Sequence, residues 1–178
     1  MTTWVALLRG VNVGGITIRS ADLASLFRDE LAFAEVRTFL ASGNVRFETD
    51  AGPGARGTLK GAIEKALRTR FGYDAWIILV TLEEMQRAIE EFPFDAGDET
   101  RQPWVVFCVD TATRDELTAA AASVESALDP VAEGPGVVYW NPPKGSSTDT
   151  AFAKILARPT YKSRTTNRNL RTLVKIAT

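Results

Sequence analysis

Three short stretches of this 178-residue chain combine side chains and backbone groups suited to holding an anion. In the first, Arg9-Gly10-Val11-Asn12-Val13-Gly14-Gly15, an arginine at what reads as a strand end precedes glycines whose N–H groups can approach a phosphate or carboxylate closely. Gly10 and Gly15 have the spacing of a Walker loop, but Ile16-Thr17 stands where Lys-Ser/Thr belongs, so the lysine that reaches the β- and γ-phosphates is missing. Asn12 at the second glycine position breaks the dinucleotide fingerprint as well. The second stretch is Ser42-Gly43-Asn44, where an Asn beside a hairpin turn can contact a ligand or satisfy its own backbone. The third runs from Arg164 through Thr166, Arg168 and Asn169 into what reads as the last helix, bringing hydroxyls, guanidinium groups and N-terminal N–H groups together. Each stretch also has a purely structural reading: a tight turn, a self-satisfied hairpin, and an N-cap at Thr166.

Other chemistries are removed by what the chain lacks. It has no histidine, which excludes Ser-His-Asp and Cys-His catalysis and every histidine-containing zinc site. Its one cysteine, Cys108, excludes an all-cysteine metal site and an internal disulfide, and no carboxylate spacing resembles a calcium loop. No metal, cofactor or catalytic residue is assigned on these grounds. Asp22 and Asp149 are the acids considered as a base, with Lys154 or Arg168 as electrostatic partner, although no spacing singles them out.

The elements that must position these stretches follow from periodicity. Apolar residues on both faces of Thr3–Arg9 predict a central strand, and Leu23, Leu26, Phe27 and Leu31 predict a helix over Ala21–Leu31 capped by Ser20. Glu35–Ala41 and Asn44–Glu48 read as a hairpin joined at Ser42-Gly43; Leu59–Phe71 reads as a helix stopped by Gly72, and Trp76–Val80 as a buried strand. That order, βαββαβ, is the ferredoxin-like split arrangement. Thr81 to Glu84 and Thr113 to Glu116 fit capping boxes; Trp104–Val109 and Val137–Trp140 read as strands around an alanine-rich helix ending near Leu128. Thr148–Leu156 and Asn167–Ala177 read as helices, the last with Leu170, Leu173, Val174 and Ala177 on one face and Arg168, Arg171 and Lys175 on another.

The expected fold class is therefore α+β. A ferredoxin-like half over residues 1–80 is followed by a less regular α/β half over 81–178, a degenerate repeat without detectable sequence repetition, within one compact unit. Composition is ordinary for a globular protein, at 45% hydrophobic and 24% charged residues. The start lacks a leader pattern and no apolar run would span a bilayer, so a cytoplasmic protein without membrane contact is expected. The net charge of −1 hides an asymmetry, because eight Lys or Arg from Lys144 onward face one acid, Asp149. This leaves +7 there and −8 elsewhere.

The segments Leu7 to Gly15, Val36-Arg37-Thr38-Phe39 with Ser42 to Phe47, and Thr166-Asn167-Arg168-Asn169-Leu170-Arg171-Thr172 together resemble the bacterial domain-of-unknown-function 1697 family. The departures are Leu170-Arg171 in place of a Trp-Asn pair and Ser20 in place of a methionine. The resemblance implies an α+β fold and the relevance of these segments, Thr172 included, but no reaction. The leading expectation is one polar site, joining Arg9, Gly10, Asn12, Gly14 and Gly15, Ser42-Gly43-Asn44, and Thr166, Arg168, Asn169 and Thr172. It would bind a nucleotide, nucleic-acid phosphate or other small anion. The alternatives are a small histidine-free enzyme for a phosphorylated or carboxylated substrate and a protein-interaction module whose motifs only build turns and caps.

Overall fold

The protein is described from a computed structural model, which defines residues 1–9, 17–40, 43–72 and 74–178. The chain divides into two compact units, Met1–Glu83 and Glu84–Thr178.

In the first unit, β1 (Thr2–Arg9) is central because its apolar residues alternate onto two buried faces: Trp4, Ala6 and Leu8 on one, Val5 and Leu7 on the other. It pairs antiparallel with β3 (Asn44–Thr49) and β4 (Trp76–Thr81), and β2 (Ala34–Phe39) lies outside β3. The resulting order β2-β3-β1-β4, with α1 (Ser20–Ser25, extended by a π-helical turn over Leu26–Glu30) and α2 (Arg56–Phe71) as crossovers, is the expected ferredoxin-like arrangement. Trp4, Ala6 and Leu8 meet Leu26, Phe27, Ile63 and Leu67 from these helices in one core, where Phe33 stacks on Phe47 at 4.4 Å. Ser20 is the first helical residue rather than the cap; Arg19 occupies that position without a side-chain hydrogen bond. Gly72 ends α2 as expected.

The helix α3 (Leu82–Glu90) leads into the second unit. There β5 (Trp104–Cys108), α4 (Thr111–Ala121), β6 (Val131–Gly134), β7 (Val137–Trp140), the short helices α5 (Ala151–Leu156) and α6 (Pro159–Lys162), β8 (Thr165–Asn169) and α7 (Leu170–Ala177) follow. The sheet order is β6-β7-β5-β8, again fully antiparallel. Strand for strand it repeats the first unit, so the second half is as regular as the first in topology. The correspondence reaches single bonds: Leu8 N–H donates to Gly43 O at 2.8 Å, and Cys108 N–H donates to Gly136 O at 3.2 Å. Both glycines adopt positive φ, 79° and 71°, a conformation that a side chain would disfavour. The second core gathers Val106, Val138 and Trp140 with Leu117, Phe152 and Tyr161.

The bounds of three expected helices are corrected. The α4 helix is capped by Asp110 and begins at Thr111, rather than being capped by Thr113, because the Asp110 carboxylate accepts from both Thr113 N and Thr113 Oγ1, and it ends at Ala121 rather than near Leu128. The α5 helix begins at Ala151, where Thr150 Oγ1 accepts from Ala153 N. Thr165–Asn169 is an edge strand, not the start of the last helix, and the α7 helix buries Leu170, Leu173 and Ile176 while Val174 is exposed.

Candidate functional site

The C-terminal end of β1 is where the topology of the first unit gathers chemistry. Leu7 lies opposite Asn44, and Leu8 bonds to Gly43, so Arg9 follows directly beside the hairpin turn. On the other side Arg9 lies opposite Trp76 of β4, and directly opposed residues of an antiparallel pair share a face. Arg9 is half-buried, and that burial pulls its guanidinium below the ordinary arginine value. A desolvated cation gains more from an anion than a solvated one does. The glycine-rich segment expected to follow Arg9 contains Gly10, Asn12, Gly14 and Gly15; these and Ser42 lie outside the described residues.

Asn44 has a structural role. It is wholly buried, and its Nδ2 donates to Phe39 O at 3.0 Å, which ties the two arms of the hairpin at their register pair. Sequence reading missed Trp76 as a surface residue and missed the pairing of Arg37 with Arg46. These two arginines stand directly opposite each other on β2 and β3, on the face that also carries Val5, Leu7 and Arg9. Like charges so opposed are destabilising, and only the strand register reveals the pair.

The third sequence candidate belongs to the second unit. Because β8 is extended, its side chains alternate, with Thr166 and Arg168 on one face and Asn167 and Asn169 on the other. Arg168 Nη1 donates to Thr166 Oγ1 at 2.6 Å and to Asn167 O at 3.0 Å. Asn169, not Thr166, caps α7 by accepting from Arg171 N at 3.0 Å. Thr172 sits half-buried in that helix. The four residues expected to converge at a helix start are thus divided between two strand faces and a helix. Arg164 forms a two-pronged ion pair with Glu116, at 3.1 and 3.3 Å, which raises its pKa above the ordinary value.

Asp22 pairs with Arg19 at 3.8 Å. Asp149 lines a cleft of about 370 Å³ together with Glu125, Leu128, Asp129, Pro143 and Thr150, and no lysine or arginine lines it. Asp129 is itself structural: buried, it accepts from Trp140 Nε1 and, at 2.7 Å, from Phe152 N. Burial pushes the Cys108 thiol up to about 12, which disfavours the nucleophilic thiolate form. Among the described residues no group of three or more Cys, Asp or Glu could hold a metal, and no helix is long and apolar enough to cross a membrane.

The comparisons agree with this geometry at the level of fold. No curated protein is significantly similar to the chain. The conserved bacterial protein SP0830 from Streptococcus pneumoniae matches over 99% of this chain and 97% of its own, with a TM-score of 0.81 at 24% identity. A family of proteins of unknown function, DUF1697, matches residues 1–139, a range that takes in Arg9, Gly43 and Trp76 and stops ahead of β8. The chain therefore belongs to the DUF1697 family.

Proposed function

We propose that the protein binds an anionic ligand, a nucleotide or a nucleic-acid phosphate, at the end of the first sheet where Arg9 meets the Gly43–Asn44 turn. The observation that carries this reading is the Leu8–Gly43 hydrogen bond, which sets the strand residue before Arg9 against Gly43, with the partly desolvated Arg9 guanidinium following directly. Arg37 and Arg46 on the same sheet face add positive potential that favours approach of an anion. Asp74, which precedes Trp76 in the chain, is itself paired with Arg68 Nε at 2.9 Å. Arg168 enters only as a second cation in the other unit, with part of its guanidinium already engaged by Thr166 and Asn167.

The test is isothermal calorimetry with pyrophosphate, mononucleotides and sugar phosphates on the wild type, Arg9→Ala and Arg168→Ala. The expected result is binding that Arg9→Ala weakens about 10-fold or more, as loss of a charge-assisted contact does. Retention of full affinity in Arg9→Ala would remove the proposal. The Arg168→Ala variant decides whether the β8 segment takes part.

A further inference from the structure

Resting on the anion reading above, we propose that the ligand carries an unpaired nucleobase, which stacks on the indole of Trp76 while its phosphate is held at Arg9. The chain has four tryptophans, of which Trp4 and Trp140 are fully buried and Trp104 packs half-buried against the second core. Trp76 is different, being 46% exposed. It opens β4, an edge strand of the first sheet, so among the described residues no further strand pairs beside it.

Burying an indole in the core would be favourable, since it removes apolar surface from water. An indole left in water at a strand position facing a cation fits a partner with a flat π surface and a negative group. Arg9 stands directly across from Trp76, so their Cβ atoms are about 5 Å apart, and one small ligand can touch both side chains. Base-on-aromatic stacking tolerates any base, because every base presents a π face. The charge of Arg9 directly across from Trp76 disfavours a purely apolar protein partner at this position, which would need a broad apolar surround.

Free nucleotides and the ends of single strands share this chemistry, so the experiment uses both. Wild type, Trp76→Ala and Arg9→Ala are titrated with AMP, with a 5′-phosphorylated tetranucleotide and with inorganic pyrophosphate, following both heat and tryptophan emission. The expected pattern is that AMP quenches the solvent-exposed part of the emission and that Trp76→Ala loses about 10-fold in AMP affinity with pyrophosphate binding unchanged. Arg9→Ala should weaken all three ligands. A tetranucleotide that binds more tightly than AMP identifies a strand as the ligand source, and equal affinity identifies a free nucleotide. If pyrophosphate and AMP bind equally and Trp76→Ala changes neither, stacking is overturned while the anion site stands. If Trp76→Ala loses pyrophosphate as much as AMP, the ring shapes the site rather than reading a base, and the inference also fails. If the wild type binds none of the three, both readings fall. Thermal unfolding of each variant confirms that it is folded.

Discussion

Asn44 and Arg9 show how residues of one sequence neighbourhood take opposite parts. The Asn44 amide is wholly buried and bonded to the Phe39 carbonyl, so its removal leaves that carbonyl without its side-chain donor and opens space beneath it. Asn44→Ala is expected to cost about 1–3 kcal/mol of stability in urea denaturation. A variant as stable as the wild type that had lost ligand binding would reverse the assignment and make Asn44 a contact residue. Arg9 follows buried Val5 and Leu7 on the same face of its strand, as the last residue of β1. Tyr139 illustrates the same economy of polar groups in the second unit, its hydroxyl donating to Ala88 O at 2.6 Å and its pKa pushed up to about 12 by burial. None of these roles was legible from residue type. An Asn beside a glycine in a hairpin sequence signals only that the turn is polar, and the register decides whether its side chain points inward.

At the scale of elements, the start of α4 shows why a helix boundary escapes a motif. Thr113-Arg114-Asp115-Glu116 satisfies a capping-box pattern, yet Asp110 reaches Thr113 N first at 2.8 Å and moves the start three residues upstream. The Asp110 carboxyl lies below its ordinary pKa because the Thr113 hydroxyl and backbone N–H both donate to it. With the folded value depressed, its stabilisation is present above the unfolded pKa of about 4 and is lost as pH falls through the folded value. Asp110→Ala should therefore cost about 1 kcal/mol at pH 7, and the gap from the wild type should narrow as pH falls below about 4, as chemical denaturation at a series of pH values would show. A gap independent of pH would mean that the carboxylate charge plays no part in the cap. The misassigned β8 has a related cause. Thr165, Thr166 and Asn167 favour extended chain and turns, but the amphipathic spacing that begins at Leu170 extends backward over Asn167 and Arg168 without contradiction. Pairing with β5, which lies nearly sixty residues upstream, settles the matter in favour of a strand.

At the scale of the whole chain, the cationic C-terminal segment keeps several exposed charges unpaired among the described residues. Among the described residues Lys154, Arg158, Lys162, Arg171 and Lys175 are exposed and form no ion pair; Arg164 does, with Glu116. Reversing Arg171 and Lys175 together to Glu should change stability by no more than about 0.5 kcal/mol per site in thermal or urea unfolding. A loss of several kcal/mol would instead show that this stripe docks the helix within the chain. The amino-acid sequence by itself determined the α+β class, the βαββαβ order of the first unit, the central place of β1 and the exclusion of histidine- and cysteine-based chemistry. Those follow from composition and from short periodic patterns. Tertiary structure alone decided that the second unit repeats the first, that Gly43 lies against Leu8 as Gly136 lies against Cys108, and that Trp76 faces Arg9. The physical reason is that strand pairing joins residues distant in sequence through backbone hydrogen bonds, which every residue type can make and which therefore leave little trace in the side chains.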